Sequence, residues 1–545
     1  MTQSLIIAMA QRNFRVGSIP ENSQQVLDVA RQAADAGAQL VVFSELALTG
    51  YPPEDLLLRP SLQARVEHAL TVVAKASHDI AIAIGYPLRR EGKLYNCAAI
   101  WHEGQCLGVY RKRCLPNYQV FDEQRYFTSG DAPLVVDVMG HRIALTVCED
   151  IWHDEPIADS VAAGAELILN LNASPFHSEK AIQREQLVSH HARRHQTPIV
   201  YVNQVGGQDE LVFDGHSFAV DAEGEVFLRL PSWQTALGLW RWQPNTGQPS
   251  TCEALSATTE LETSTLANVY QALVVGLRDY VQFNGFHGVL LGLSGGIDSA
   301  LSLAIAVDAL GAERVHAVMM PYAYTSDMSK TDAAEQAERM GVRYQSLSIE
   351  PMVDAFLTTL APSFAGLPKD TTEENLQSRC RAVLLMALSN KTGSMVLTTG
   401  NKSEMAVGYA TLYGDMCGGY NALKDVYKTQ VFELARYRNE LGYVIPQRVI
   451  DRPPSAELAP DQRDEDSLPP YPVLDAILHA YIEQDLSADA IVAQGFATED
   501  VLRVLRLVDL SEYKRRQAPI GVRVSQRGFG RDRRYPITQG WRAGM

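Results

Sequence analysis

The chain has 545 residues, more than one ordinary hydrophobic core accommodates, so we expect two domains and allow for three. Hydrophobic residues make up 46% and charged residues 21% of the sequence, the mixture of a soluble globular enzyme. The formal net charge of −16 argues against a nucleic-acid-binding protein with a broad basic face, and it leaves small-molecule substrates open.

The seven cysteines are odd in number, scattered and without a CxxC pair. This distribution argues against a disulfide framework or a zinc site, and it favours a reducing, cytoplasmic location. The apolar stretch near residue 5 is too short for a signal peptide, and no run reaches the ~18 apolar residues of a membrane span. We therefore expect a cytoplasmic protein without membrane segments.

Residues 1–245 alternate strand-like and helix-like segments, which predicts α/β layers with buried strands in a first domain. The spacing of apolar residues over 23–38 predicts a helix that begins at Ser23 and ends near a glycine. The predicted strands are residues 4–11, 39–45, 80–87, 142–150 and 165–175.

Residues 246–265 are polar and contain Pro, Gly, Ser and Thr without an apolar period, so we interpret them as a linker. The α/β pattern then returns, and we assign residues 266–545 to a second domain. Its first predicted elements are a helix at 266–285, a strand at 288–295, a helix at 298–310 and a strand at 314–321.

The sequence SGGIDS, residues 294–299, follows a predicted strand and opens a predicted helix. Small residues let backbone N–H groups approach a phosphate, and the helix points its positive end toward it. The stretch lacks the GxxxxGK(S/T) pattern of a Walker A loop. On the pattern alone, an ordinary helix start capped by Ser294 or Asp298 remains an alternative.

SGGIDS resembles the signature loop of the ATP pyrophosphatases, which cleave ATP to AMP and pyrophosphate to activate a carbonyl or carboxylate. The stretches at 374–390, 397–415 (containing GNKSE) and 423–435 resemble NAD synthetases, which adenylate deamido-NAD before ammonia displaces AMP. The resemblance implies a doubly wound, parallel-sheet (Rossmann-like) ATP pyrophosphatase domain. Its substrates would be ATP, as co-substrate, and deamido-NAD.

The resemblance also implies which residues form this site. Thr399 and the loop would contact ATP, and Asn375, Glu404 and Lys514 would contact deamido-NAD. From their chemistry we add that Asp298 and Glu404 are hard carboxylate ligands suited to Mg²⁺. Alternatives are a helix cap for Asn375, and a solvated tail or an RNA-binding patch for the basic segment around Lys514. The loop residues are Gly292, Leu293, Ser294, Gly295, Gly296, Ile297, Asp298 and Ser299.

Amidation by this chemistry needs ammonia, and a glutaminase on the same chain would supply it with an activated thiol, a base and an oxyanion stabiliser. Glu45, Lys112 and Cys148 each lie near the end of a strand-like segment. Their order, with the stretches LTGYPPEDL, KRCLPNY and CED, resembles the nitrilase (carbon–nitrogen hydrolase) family. That resemblance implies a four-layer α-β-β-α sandwich with this triad in its interior.

The roles of the triad follow from its chemistry. The Cys148 thiolate would attack the glutamine side-chain amide, Lys112 would lower the pKa of the thiol and stabilise developing charge, and Glu45 would pass the thiol proton to ammonia. Each residue taken alone also fits an ordinary structural position: a buried cysteine, a turn acid and a surface lysine. The three motifs in family order favour the catalytic interpretation.

Glutamine would be held by Tyr118, Glu149, Ser174 and Lys180, again by resemblance. The chain departs from the family at Glu179, because relatives often carry glycine before the lysine. This difference places a larger, acidic side chain directly before Lys180 in the expected glutamine pocket.

Together the resemblances imply glutamine-dependent synthesis of NAD⁺, with an ammonia passage between two active sites and a homo-oligomeric assembly. Alternatives are another glutamine amidotransferase with the same ATP loop, an RNA-modifying enzyme that uses the basic segment at 511–534, and a fused pair of hydrolases. We expect no nucleic-acid or membrane partner. The Pro- and acid-rich residues 452–472 are expected to order over the adenylate and exclude water.

Overall fold

The structure, a computed structural model, describes residues 4–245, 248–455, 457–459, 462, 464–466 and 468–541. The chain divides into two compact units, Met1–Thr263 and Ser264–Met545. Among the described residues, no helix is long and apolar enough to cross a membrane.

The first unit contains two large sheets flanked by helices. Its helices are α1 (Ile19–Asp35), α2 (Pro60–Ala76), α3 (Asp154–Ala162) and α4 (Lys180–His195), with 3-10 turns at Glu54–Leu58, Glu123–Arg125 and Cys148–Trp152. Its strands are β1 (Leu5–Gln11), β2 (Leu40–Val42), β3 (Ala81–Arg90), β4 (Lys93–His102), β5 (Gln105–Arg111), β6 (Leu134–Val138), β7 (His141–Val147), β8 (Leu167–Asn172), β9 (Ile199–Asn203), β10 (Val205–Gln208), β11 (Leu211–Asp214), β12 (Phe218–Val220), β13 (Val226–Arg229), β14 (Ala236–Asn245) and β15 (Gln248–Ala254).

The strand order is β15-β14-β1-β2-β3-β4-β5 in the larger sheet and β13-β12-β9-β8-β7-β6 in the smaller one, with β10 and β11 as a separate hairpin. Strand β1 lies inside the larger sheet. It pairs antiparallel with β14 along all seven of its residues and parallel with β2. In the smaller sheet, β7, β8 and β9 run parallel, so their carboxyl ends meet at one edge.

Three apolar layers hold these elements together. Alternate residues of a strand point to opposite faces, so Ala8 packs in a cluster with α1 and α2 while its neighbour Ile7 packs between the sheets. The layer between the sheets includes Ile7 and Leu145. Helices α3 and α4 cover the outer face of the smaller sheet through Ile157 and Val188. This order of layers confirms the predicted α-β-β-α sandwich.

Two boundaries differ from the sequence prediction. Helix α1 begins at Ile19, four residues before the predicted start at Ser23, because Pro20 is compatible with the first turn, where its missing N–H is not needed. Residues 248–254, within the predicted linker, form β15, which pairs antiparallel with β14 at the sheet edge. The apolar pattern of this strand is weak because the residues that pack on the core, among the side chains that the structure describes, are the small Cys252 and Ala254.

The second unit is a parallel sheet with helices. Its strands are β16 (Val289–Gly292), β17 (Val315–Met319), β18 (Arg343–Ser346), β19 (Met395–Thr398) and β20 (Tyr420–Asn421). Its helices are α5 (Thr265–Phe283), α6 (Ile297–Leu310), α7 (Asp327–Arg339), α8 (Glu350–Leu360), α9 (Thr371–Thr392), α10 (Lys402–Val407), α11 (Lys428–Glu440), α12 (Gln447–Asp451), α13 (Tyr471–Ile482), α14 (Ala488–Val492), α15 (Thr498–Leu510) and α16 (Glu512–Arg515).

The strand order β18-β17-β16-β19-β20 is parallel throughout. The chain proceeds outward from β16 in one direction through β17 and β18, and then in the other through β19 and β20. This is the predicted doubly wound arrangement, and its switch point between β16 and β19 is where such sheets bind ligands. Helix α5 begins where the second unit begins, with the Ser264 hydroxyl accepting a hydrogen bond from the Ala267 N–H at 3.2 Å.

Candidate active sites

The turn after β7 presents Cys148. The predicted strand 142–150 ends at Val147, and Cys148 begins a 3-10 turn with φ +43°. A residue other than glycine rarely adopts this left-handed conformation, and such strain persists only where surrounding contacts fix it. The side chain is buried. The turn therefore holds the thiol at the carboxyl edge of the parallel strands.

Asp150 is the contact that fixes this turn. Its carboxylate accepts hydrogen bonds from the Val147 N–H at 2.9 Å and, on the facing segment, from the N–H groups of Arg113 at 3.1 Å and Cys114 at 2.8 Å. The Tyr110 hydroxyl donates a fourth, at 2.9 Å. The fully buried Asp150 thus joins the turn of Cys148 to the backbone directly after Lys112.

Lys112 is buried between two acids. Its Nζ lies 2.7 Å from Glu45 Oε1 and 2.9 Å from Glu123 Oε1. Burial alone would lower the pKa of the Lys112 ammonium, but the negative charges of Glu123 and Glu45 outweigh burial and raise it well above its usual value. Lys112 consequently remains a cation inside the protein.

Glu45 is oriented through both carboxylate oxygens. The Asn96 side-chain amide donates to Oε1 at 2.7 Å, beside the bond from Lys112, and the Ala173 N–H donates to Oε2 at 3.0 Å. The side chain is fully buried. These three donors fix the acid in one position, as a proton-transferring group requires.

Cys148 interacts electrostatically with Glu45, Lys112 and Glu123, so the structure brings the predicted triad together. Burial raises the pKa of the thiol well above its usual value, Glu45 and Glu123 raise it further, and Lys112 only partly opposes them. The resting side chain is therefore a thiol. Lys112 does lower the pKa of the Cys148 thiol, as predicted, but burial and the two acids raise that pKa by more.

The predicted glutamine-binding residues surround the same turn. The Tyr118 hydroxyl lies 3.0 Å from each carboxylate oxygen of Glu149. The ammonium of Lys180, at the start of α4, lies 3.8 Å from the centre of the Trp152 ring and contributes electrostatically at Glu149. The group thus offers a carboxylate, an ammonium and an aromatic surface within one region.

Ser174 is held by a buried arginine. The Arg184 side chain donates to the Ser174 hydroxyl at 3.2 Å and to its carbonyl at 2.7 Å, and it forms an ion pair with Asp214 at 2.7 Å. The Ser174 N–H donates to the Asn203 side chain at 2.9 Å. The segment after β8 is thereby fixed against α4.

A cavity of about 630 Å³ lies in the second unit at the carboxyl ends of β16 and β19. Apolar and polar side chains line it, as in small-molecule sites. The predicted residues that line it are Gly292, Leu293, Ser294, Gly296, Ile297, Asp298, Ser299, Thr399 and Glu404.

The loop between β16 and α6 has the backbone form that a phosphate site needs. Gly295 has φ +79°, and a Cβ atom there would lie 2.4 Å from the Ser329 carbonyl oxygen, so only glycine fits. Gly296 is the N-cap of α6, and no side chain of the described residues caps this helix start. Neither Ser294 nor Asp298 is the cap, and the leading N–H groups of α6 stay available to a phosphate.

Asp298, Glu404 and Lys428 form a charged group on the wall of the cavity. The Lys428 ammonium forms a short contact with Asp298 Oδ2 and lies 3.4 Å from Glu404 Oε1. The Asn401 amide donates to Asp298 Oδ1 at 2.9 Å. Burial raises the pKa of Glu404 to about 8, with Asp298 and Asp464 contributing and Lys428 opposing. Two crowded acids of this kind favour a nearby cation.

Two family models match the chain: carbon–nitrogen hydrolase over residues 6–246 and NAD synthase over residues 269–518. A "Glutamine-dependent NAD(+) synthetase" of Acinetobacter baylyi is 51% identical over 99% of both chains. One of Aquifex aeolicus is 41% identical over 98% of this chain and 99% of its own. The chain belongs to the glutamine-dependent NAD(+) synthetase family.

Solved structures agree with the fold of this synthetase. The glutamine-dependent NAD⁺ synthetase of Acinetobacter baumannii, in complex with ADP, matches all of both chains with a TM-score of 0.80 and 49% identity. That of Cytophaga hutchinsonii matches 98% of both chains with a TM-score of 0.84 at 23% identity, which bears on the fold alone. The family assignment confirms the predicted function: a C–N ligase that forms NAD⁺, uses ATP and takes nitrogen from glutamine.

Three predicted residues of the synthetase lie outside the lining of the cavity: Gly295, Asn375 and Lys514. Asn375 Oδ1 accepts a hydrogen bond from the Thr411 hydroxyl at 2.7 Å, and the Lys514 ammonium donates to the carbonyls of residues 408 and 410 at 2.8 Å each. Both therefore hold the segment 408–411, part of which reaches the cavity. Helix α9 is capped by Asp370, not by Asn375.

The basic segment of the synthetase is largely neutralised within the unit. Arg515 pairs with Glu512 at 2.8 Å, and Arg523 pairs with Asp532 at 2.6 Å. Such pairing lowers the positive potential that an RNA-binding patch would need. The seven cysteines are all free thiols in the described part of the chain.

Sequence reasoning missed three residues of these sites: Glu123, Asp150 and Lys428. Glu123 is buried beside Lys112, and the Tyr51 hydroxyl donates to it at 3.0 Å. Burial, with a contribution from Glu45, raises the pKa of Glu123 to about 7 against the opposing charge of Lys112. All three lie within or next to stretches that carried the resemblance, and this position was the one signal in the sequence that could have identified them.

Proposed function

We propose that the first unit of this synthetase is the glutaminase, with Cys148 as nucleophile, Glu45 as proton carrier and Lys112 as the cation that stabilises negative charge. The observation that supports this most directly is the buried ion pair of 2.7 Å between Lys112 and Glu45 beside a strained, buried Cys148. A buried cation and a fixed acid next to a thiol are the parts that amide cleavage needs.

The first half of the reaction begins from the neutral thiol. As the glutamine amide approaches, Sγ transfers its proton to Glu45 and attacks the amide carbon. The carbonyl oxygen becomes negative and is stabilised by the Lys112 ammonium. Glu45 then gives the proton to the nitrogen, ammonia leaves, and a thioester remains.

Glu45 also serves the second half. It takes a proton from water as the water attacks the thioester, glutamate leaves, and the thiol re-forms. Glu123 keeps Lys112 charged throughout by adding a second negative group beside it. We assign Glu149 to the α-ammonium of glutamine and Lys180 to its carboxylate, with Tyr118 and Ser174 completing the pocket.

In the second unit the loop of residues 292–299 holds the ATP phosphates, and Thr399 contacts the nucleotide. The nicotinate carboxylate of deamido-NAD attacks the α-phosphorus, pyrophosphate leaves, and ammonia then displaces AMP from the adenylate. Lys428 neutralises phosphate charge beside Asp298. We assign deamido-NAD binding to Asn375, Glu404 and Lys514. Asn375 and Lys514 act through the segment 408–411, which they hold in place.

Asp298 and Glu404 fit Mg²⁺, because both are carboxylates that already converge on one cation, the Lys428 ammonium. When bound, the ion would supply further neutralisation of the triphosphate. The cytoplasmic location remains a prediction from the cysteine pattern, and the homo-oligomer and the ammonia passage remain predictions from the resemblance.

NAD⁺ formation by a Cys148→Ala variant tests whether the first unit supplies the ammonia and the second unit makes NAD⁺. Glutamine and high ammonium are used as alternative nitrogen donors. We expect loss of the glutamine reaction and retention of the ammonium reaction. A matched control is Cys97→Ala, which alters another buried cysteine, on β4, and should retain both. Glutamine-driven synthesis by the Cys148 variant would refute the assignment of the nucleophile.

A further inference from the structure

A cluster of potential metal ligands lies outside both sites, where α3 begins and α4 ends. Asp154 opens α3, and His191 and His195 stand four residues apart on α4, so their rings lie on the same side of that helix. One ligand atom from each residue lies within 4.8 Å of the other two. Within the described part of the chain, no other group of three or more such residues has this spacing.

The two oxygens of Asp154 have different neighbours. Oδ1 lies 3.1 Å from Nε2 of His195 and 3.7 Å from Nδ1 of His191. Oδ2 lies 3.2 Å from the guanidinium of Arg194. One oxygen therefore faces both imidazoles while the other neutralises Arg194, so a cation held at Oδ1 leaves that ion pair in place.

His191 is the unusual member of the cluster. It is only 4% exposed, and among the described residues neither ring nitrogen has a partner in hydrogen-bond geometry. A buried polar ring without such partners requires an explanation. A bound cation would supply that partner at Nδ1, which lies 3.7 Å from Asp154 Oδ1.

We propose that Asp154, His191 and His195 bind one Zn²⁺ ion. Two imidazoles and one carboxylate are a ligand set that Zn²⁺ takes when a water molecule fills the fourth position. Water has access, because 40% of the Asp154 side chain is exposed. The proposed site has no cysteine ligand. It therefore departs from the sequence expectation, which was drawn from the cysteine spacing and argued against a zinc site.

Bound zinc would join two helices next to the nucleophile. Asp154 follows the Cys148–Trp152 turn after a single residue, and α4 begins at Lys180, the residue assigned to glutamine. Linking the first turn of α3 to the last turn of α4 would stabilise the folded first unit by mass action, since the ligands are brought together only on folding.

The test uses the full-length, tag-free protein, stripped with EDTA and titrated with ZnCl₂ in excess Mg²⁺. Zinc retained after desalting and the zinc-dependent rise in melting temperature are both measured. We expect one Zn²⁺ per chain and a rise in melting temperature. His195→Ala and Asp154→Asn should each weaken binding at least about tenfold, the smallest loss typical when even an outer-shell partner of a metal is removed.

His190→Ala is the matched control, because His190 is exposed on the same helix and lies outside the cluster, and it should bind zinc like the unaltered protein. Cys148→Ala should also retain binding, which excludes the thiol as the ligand. Since His195 is near the helix end and partly exposed, its variants should fold, and His195→Gln provides a second one. The proposal is overturned if the unaltered protein retains no zinc or if the His195 variants retain it equally.

Discussion

The substitution Asp150→Asn separates the glutaminase from the synthetase with a change of one atom. The Asp150 carboxylate accepts hydrogen bonds from three backbone N–H groups and one hydroxyl. An amide can turn its NH₂ toward the Tyr110 hydroxyl, which can accept. The same NH₂ then faces the Val147 N–H, and two donors oppose each other.

The size of the effect follows from that arrangement. One buried N–H group without an acceptor costs about 1–3 kcal/mol, and the remaining bonds lose the assistance of a charged acceptor. We expect the free energy of unfolding to fall by about 2–4 kcal/mol. Since misplacing a catalytic group by about 1 Å costs on the order of 100-fold in rate, glutamine-dependent NAD⁺ formation should fall by about that factor.

The assay is the rate of NAD⁺ formation with glutamine and with ammonium, together with thermal unfolding. Only the glutamine rate should fall, because Asp150 lies in the first unit. Asp159→Asn is the matched control: Asp159 pairs with the Arg113 side chain at 2.8 Å but is 43% exposed, so its loss costs about 0–1 kcal/mol. Equal glutamine rates for Asp150→Asn and the unaltered enzyme would refute the role of Asp150 in holding the turn.

Three further variants test other parts of the structure. Lys428→Met should abolish NAD⁺ formation with either donor while glutaminase activity persists, and Lys330→Met, at a partly exposed lysine, should retain NAD⁺ formation. Equal loss of NAD⁺ formation in the two variants would contradict the assignment of Lys428. Gly295→Ala should likewise remove ATP-dependent activity, measured as pyrophosphate release, because a Cβ atom would lie 2.4 Å from a carbonyl oxygen. Glu185→Gln should lower stability by up to about 3 kcal/mol at neutral pH. Burial alone would raise the pKa of Glu185, but its interactions with His216 and Arg229 lower it to about 2. The stability that the Glu185 carboxylate contributes is therefore present above the usual pKa of 4.5 and is lost as the pH falls toward 2. Denaturant unfolding at several pH values should show that the stability difference between the unaltered enzyme and Glu185→Gln shrinks in acid.

Much of the fold was predictable because apolar periodicity reports which face of an element is buried. The buried runs at 4–11 and 165–175 are strands β1 and β8 as expected. Strand β15 was missed because an edge strand buries little, and Cys252 and Ala254 are too small to give an apolar signature. The early start of α1 depended on a proline whose position in the first turn only the structure shows.

For the candidate site, too, sequence reasoning identified some residues and missed others. Glu45, Lys112 and Cys148 were accessible to sequence reasoning because each stands in a recognisable stretch at the end of a strand. Asp150 and Lys428 were not, since they act through contacts with residues 37 and 130 positions away in the chain. The high pKa of the Cys148 thiol was also hidden, because it depends on the combined effect of burial and two acids in three dimensions.

The position of β1 has a consequence for how the protein is made. Its seven residues pair with β14, more than two hundred residues later in the chain, so a central strand of the larger sheet has an open edge until Ala236–Asn245 has left the ribosome. Contacts of such long separation form slowly, and N-terminal units generally fold before the rest of a chain is complete. The Cys148 site therefore reaches its buried state only when nearly half of the polypeptide has been synthesised. Until then the layer between the sheets lacks Trp240 and Trp242, and the nascent first unit exposes apolar surface that favours aggregation.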